Sequence, residues 1–119
     1  MQKNAKGNSN KKPQDYEDLY DKSLAHMTLS QLYEADKIFN QILKTNPSHI
    51  GAIMGKGVIQ CDKGNYQSGI TYFDKGLAID SKNTALLRNK AHALELLGDK
   101  ESANEFYDQA MALEMGTSI

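Results

Sequence analysis

The fold of this chain is decided by residues 84–117, which read TALLRNKAHALELLGDKESANEFYDQAMALEMGT. The first part of this stretch repeats apolar residues at helical spacing as far as Leu97, and Gly98-Asp99 then interrupts the pattern. A second apolar stripe follows on Ala103, Phe106, Tyr107, Ala110 and Met111. The stretch therefore predicts two amphipathic helices joined by a tight turn, in which Gly98 adopts the left-handed conformation.

The same pattern recurs twice upstream at a constant spacing of 34 residues, which divides the chain into units 16–49, 50–83 and 84–117. Four columns match in all three units, namely a lysine, two sets of small residues and an aromatic residue. They are Lys22, Lys56 and Lys90; Ser23, Gly57 and Ala91; Ala35, Gly69 and Ala103; and Phe39, Phe73 and Tyr107. Small residues allow two helices to approach closely, so we expect these columns to face each other inside each hairpin. A repeated hairpin of this kind predicts a stacked array.

The period, the turn glycine and the small and aromatic columns resemble the tetratricopeptide repeat. The resemblance implies an all-α fold, an α-α superhelix (solenoid) of three helix-turn-helix hairpins and six helices, within a domain of residues 15–117. In this family the first helix of each hairpin lines the concave side. A clear C-terminal capping helix is not expected, since only residues 118–119 follow the third unit.

The chain departs from the family pattern at two columns of the first helices. Leu19, Ile53 and Leu87 stand where the family has Trp, and the lysine column replaces a core Leu. We expect each lysine to bury its aliphatic stem and to bring its ammonium group to an edge or to an acidic neighbour. Asn46-Pro47-Ser48 ends the first unit, and Ser48 is predicted to cap the helix that follows.

Charge and composition bound the classes of function. Residues 1–14 contain four lysines and no acid, although the whole chain has a formal net charge of −1, so this segment is predicted to be a disordered basic arm. No apolar run is long enough for a signal peptide or a membrane span. Cys61 is the only cysteine, which excludes an intrachain disulfide and favours a reducing, cytoplasmic location.

The sequence contains no constellation typical of catalysis. There is no phosphate-binding glycine loop, no His-Glu-x-x-His motif, no cysteine pair and no nucleophile elbow. His26, His49 and His92 do not have the spacing of metal ligands, and Cys61 is interpreted as a small apolar filler. The chain is therefore predicted not to be an enzyme and to need no cofactor or metal.

If the first helices line a groove, its surface is apolar at one end and polar at the other. The predicted partner-binding residues are Tyr20, Leu24, Met27, Met54, Val58, Arg88 and His92. Such a surface suits an apolar or amphipathic segment of another protein. Gly51 and Gly55 lie one turn apart on the second unit, and either a notch that a ligand ridge fills or a slightly loose helix would explain them.

Chaperone-binding members of the family clamp acidic carboxyl tails with Lys, Asn and Arg side chains. The corresponding positions here are Tyr20, Leu24, Gly55, Ala85 and Asn89, which do not reproduce that set. Capture of acidic chaperone tails is therefore not expected.

The last helix supports a second hypothesis, self-assembly into a homo-oligomer. Its apolar residues have no following hairpin to cover them. The predicted self-association residues are Phe106, Tyr107, Met111 and Leu113. Contact with nucleic acid through the basic arm is a weaker alternative, because the arm has no Arg or interleaved aromatic residue and the repeats are acidic.

Overall fold

The structure, a computed structural model, describes residues 31–116 and has five α-helices in that part of the chain. They are α1 (Leu32–Thr45), α2 (Ile50–Asp62), α3 (Tyr66–Ile79), α4 (Thr84–Leu96) and α5 (Lys100–Glu114). Residues 31–116 contain no strand, so the predicted all-α fold is confirmed. The first of the six predicted helices falls in residues 16–30, and it lies outside the described residues together with the basic arm and residues 118–119.

Consecutive helices pack on each other along the chain. The α2–α3 and α4–α5 turns contain Gly64 and Gly98, whose φ angles are +87° and +94°. Both glycines therefore adopt the left-handed conformation predicted from the sequence. None of the described helices is long and apolar enough to cross a membrane. The exact bounds of the three units stay predictions from the sequence.

The first helices of the second and third units begin at equivalent capping residues. His49 Nδ1 accepts a hydrogen bond of 2.9 Å from the Ala52 amide, and Asn83 Oδ1 accepts one of 3.0 Å from the Leu86 amide. The prediction that Ser48 caps α2 is wrong, because the Ser48 amide donates to Asn46 Oδ1 within the preceding turn. His49, one residue after Ser48, is the residue whose side chain accepts from a free amide of the first helical turn.

The small columns bring the two helices of a hairpin together as predicted. A methyl group at Gly69 would come within 2.9 Å of the Gly57 carbonyl oxygen, and one at Gly57 within 3.1 Å of the Gly69 carbonyl oxygen. The two backbones therefore touch across α2 and α3. In the third hairpin the matching Ala91 and Ala103 are fully or almost fully buried.

The hairpins are joined by two apolar junctions. At the α1–α2 junction the buried ring of Phe39 lies against Gly55. At the α3–α4 junction the buried side chain of Leu86 lies against Gly76, and a methyl group at Gly76 would come within 2.7 Å of Leu86 Cδ1. These junctions set the first helices α2 and α4 side by side, which positions the candidate site.

Candidate functional site

The partner-binding residues predicted from the sequence fall into a described group and a group outside the described residues. Tyr20, Leu24 and Met27 belong to residues 16–30, so nothing tests their placement. The other four lie on the two described first helices. Met54 and Val58 are on α2, and Arg88 and His92 are on α4.

The α2 part of the surface is apolar and partly open. Met54 and Val58 are half-buried, and both pack against the core cluster that α3 and α4 share. That cluster is Ile70, Phe73, Leu86 and Ala93. The inner part of each side chain therefore belongs to the core, while the outer part remains available for contact.

Gly55 does not form the notch that one sequence interpretation placed in the groove. It is buried, and a methyl group there would come within 2.8 Å of three ring carbons of Phe39. The missing side chain makes room for an aromatic ring of the preceding helix, which compensates the low helix propensity of glycine. The period alone could not indicate this, because Asn89 replaces Gly55 in the next unit.

The α4 part of the surface carries an ion pair within its own hairpin. Arg88 Nε donates to Glu114 Oε2 over 3.0 Å, and Arg88 Nη2 donates to the other carboxylate oxygen. The hydrogen bonds from Arg88 lower the pKa of the Glu114 carboxyl below its ordinary value. The Arg88 side chain is 42% exposed, so a partner group can reach it although it already has an acceptor.

A second polar group lies one turn further along α4. Tyr107 of α5 donates its hydroxyl to Glu95 Oε1 over 3.1 Å, and His92 Nδ1 lies 3.9 Å from the same oxygen. Burial is the main cause that raises the pKa of Tyr107, and the hydrogen bond to Glu95 raises this pKa further. The third aromatic column member thus anchors a carboxylate at the site, unlike Phe39 and Phe73, which are buried in the core.

Cys61 has the environment of a packing residue. Its sulfur occupies the space beside Gly69, and burial raises the pKa of the thiol above its ordinary value. The thiolate, which is the reactive form, is therefore disfavoured. Within residues 31–116 no group of three or more His, Cys, Asp or Glu side chains could hold a metal ion.

The four residues predicted for self-association differ in exposure. Met111 is 48% exposed, whereas Phe106, Tyr107 and Leu113 are half-buried. The Lys90 ammonium lies 4.3 Å from the centre of the Phe106 ring, so that ring faces its own hairpin. Met115 is 70% exposed, and the prediction did not include it.

The lysine column forms ion pairs between hairpins. Lys56 Nζ donates to Asp36 Oδ1 over 2.9 Å, and Lys90 Nζ lies 2.7 Å from Asp74 Oδ1. Only 14% and 18% of the two lysine side chains is exposed, so the predicted buried stem with a paired ammonium group is confirmed for both. The acceptors were not predicted. One signal for them is the column Asn40, Asp74 and Asp108, which has the same 34-residue spacing.

A family model for the tetratricopeptide repeat matches residues 87–114, within α4 and α5. The chain is a tetratricopeptide-repeat protein. It is also 33% identical over 81 residues to the RNA polymerase-associated protein CTR9 of Caenorhabditis elegans. That match covers 67% of this chain but only 7% of the CTR9 sequence.

Solved structures of other proteins share the solenoid of this tetratricopeptide-repeat chain. PcrH, in complex with the chaperone binding region of PopB, has a TM-score of 0.75 at 19% identity, with 91% of this chain and 87% of that chain covered. MamA MSR-1 has a TM-score of 0.69 at 18% identity, with 89% of this chain and 61% of that chain covered. At these identities the likeness establishes the fold alone.

Proposed function

We propose that this chain is a non-catalytic interaction module that binds an apolar or amphipathic segment of a partner protein along the first helices of its hairpins. The observation that carries the proposal is the contrast between α2 and α4. Met54 and Val58 leave part of their apolar surface open on α2, while the same columns of α4 present Arg88 and His92.

This contrast favours an amphipathic ligand. A helix laid across both first helices would place its apolar side on Met54 and Val58 and its polar side near Arg88 and His92. Met54 suits such a role because an unbranched thioether side chain adapts to differently shaped partners. PcrH, which has a similar fold, forms a complex with the chaperone binding region of PopB, which supports the binding of a protein segment as a role that this fold allows.

The two alternatives from the sequence have different support. Nucleic-acid contact through residues 1–14 and a cytoplasmic location stay predictions, since nothing in the described residues bears on them. Self-assembly through α5 is favoured by the exposure of Met111, and it would compete with any other protein that binds the same face of α5.

A peptide display library selected against the intact chain tests the proposed ligand class. We expect the selected peptides to carry apolar residues at spacings of three and four, and to lose binding to a Met54→Glu chain, because a carboxylate would then lie in the apolar contact. Gln67→Glu, on the exposed side of α3, adds the same charge as a matched control. Arg88→Ala should mainly reduce the salt dependence of binding.

Equal binding of the selected peptides to the Met54→Glu and wild-type chains would place the site elsewhere. Circular dichroism of each variant separates loss of the site from loss of the fold.

A further inference from the structure

Both junctions between hairpins contain the same lysine contact. The lysine comes from the first helix of one hairpin, and its acceptor comes from the second helix of the hairpin before it. At the α1–α2 junction Lys56 Nζ donates to Asp36 Oδ1 over 2.9 Å and to Asn40 Oδ1 over 2.7 Å. At the α3–α4 junction Lys90 pairs with Asp74, the residue equivalent to Asn40. A lysine in this register therefore belongs to each junction.

Helix α5 repeats the acceptor side of these junctions. Asn104 and Asp108 are equivalent to Asp36 and Asn40, so α5 carries the same carboxylate and amide one turn apart, with the two exchanged. Met111 is equivalent to Leu43 and Leu77, which are half-buried against the cores of the two junctions. We name Asn104, Asp108 and Met111 the α5 acceptor face.

The α5 acceptor face has no donor within residues 31–116. Asn104 and Asp108 are exposed, and Met111 is 48% exposed. At the other two junctions this face is covered by a helix that contributes a lysine. Charge complementarity and the repetition of an interface already present twice therefore indicate what would cover it.

We propose that the α5 acceptor face binds a helical hairpin of another protein whose first helix carries a lysine in the register of Lys56. The α2 helix shows what such a helix must present. Ala52, Gly55 and Ile59 are buried at the α1–α2 junction, at positions four before, one before and three after the lysine. With the α1–α2 junction as the template, the recognised pattern is a small residue, a second small residue directly before the lysine, and an aliphatic residue one turn after it. Helix α4 has Leu86, Asn89 and Ala93 at these positions.

A second copy of this chain, stacked head to tail, would present Lys22 in the register of Lys56, but the residues beside that lysine do not fit the face. The register of the repeat places Asp18 and Asp21 of the first unit in the columns of Ala52 and Gly55. A head-to-tail contact would therefore require two carboxylates at the positions where the α1–α2 junction buries Ala52 and Gly55, and burial of an unpaired charge opposes association.

A peptide with the sequence of residues 50–83 is a suitable probe, since it contains the complete α2–α3 hairpin. Fluorescence anisotropy of the labelled peptide with the 119-residue chain should give saturable binding. Asp108→Lys in the chain should weaken that binding about tenfold or more, because two ammonium groups would then face each other. Lys56→Asp in the peptide should restore binding to the Asp108→Lys chain. Glu105→Lys, one turn away on the exposed side of α5, is the matched control and should leave binding unchanged.

A fused chain tests the same contact without requiring the peptide to fold alone. Residues 50–83 are placed a second time directly after Thr117, which continues the 34-residue register. We expect a higher thermal midpoint than that of the original chain, loss of the gain with Asp108→Lys, and its return when the lysine of the added hairpin is changed to Asp. Absence of the charge-swap rescue in both formats overturns the proposal. Sedimentation equilibrium that shows association of the wild-type chain with itself, abolished by Asp108→Lys, would also overturn it in favour of a second copy.

Discussion

The two junctions between hairpins share a polar contact but reverse the apolar one. At the α1–α2 junction the second helix supplies the bulky side chain, Phe39, and the first helix supplies the glycine, Gly55. At the α3–α4 junction the first helix supplies the bulk, Leu86, and the second helix supplies the glycine, Gly76. A junction thus needs one large and one small partner in contact, and the repeat does not fix which helix carries which. The lysine, in contrast, comes from the first helix in both cases.

The largest loss of folding stability is expected inside a hairpin. In the second and third hairpins alike, small residues bring the two helices into close contact. Ala103 is 1% exposed in the small column of the third hairpin. Ala103→Leu should lower the free energy of unfolding by about 2–3 kcal/mol, because overpacking forces α4 and α5 apart. Urea unfolding monitored by circular dichroism measures the change. An unaltered free energy of unfolding would contradict close packing of these two helices.

The next largest change in stability is expected to differ between Gly55 and Gly76, the glycines of the two junctions. Gly55→Ala should lower the free energy of unfolding by about 1–2 kcal/mol, because contact with the rigid Phe39 ring outweighs the gain in helix propensity of about 1 kcal/mol. Gly76→Ala should stay within about 0.5 kcal/mol of wild type, since the end of the Leu86 side chain can shift and the same propensity gain offsets the crowding.

Thermal and urea unfolding of both alanine variants decide the order. Adding Phe39→Leu should recover part of the loss caused by Gly55→Ala, because residues in contact are energetically coupled. Stabilisation by Gly55→Ala alone would instead indicate an open position in the groove.

A smaller effect distinguishes the lysine contacts. Lys56 has two acceptors, Asp36 and Asn40, whereas Lys90 forms an ion pair with Asp74. Asp74→Ala should therefore lower the free energy of unfolding by about 1 kcal/mol, and Asp36→Ala by less than about 0.5 kcal/mol, since the remaining amide still accepts from Lys56. Equal losses in urea unfolding would mean that the second acceptor contributes nothing.

The smallest effect concerns the ion pair between Arg88 and Glu114, which closes the last hairpin. The Arg88 hydrogen bonds lower the pKa of the Glu114 carboxyl in the folded chain, so the pair stabilises the fold above the ordinary carboxyl pKa. This contribution is lost as the pH falls below about 4 and through the lowered pKa. The thermal midpoints of wild type and Glu114→Gln should therefore differ slightly at neutral pH and converge in acid. A difference that grows in acid would contradict this linkage.

The sequence predicted the elements that depend on local spacing. The left-handed glycines Gly64 and Gly98, the small columns and the buried lysine stems all follow from a period that repeats without insertions, because these particular columns meet equivalent neighbours in the second and third units. Two local details were not predicted. One is that His49 caps its helix, and the other is that the Phe39 ring fills the space beside Gly55. Both depend on the direction in which a side chain points, and residue spacing does not specify that direction.

The candidate site divides in the same way. The sequence by itself determined that α2 presents Met54 and Val58 where α4 presents Arg88 and His92, because these residues occupy the same columns. Only the tertiary structure decided how far each is available, since packing against the core cluster that α3 and α4 share half-buries the first two and Glu114 accepts hydrogen bonds from Arg88. The repeat fixes positions along each helix, while burial and pairing depend on the side chains that neighbouring helices bring into contact.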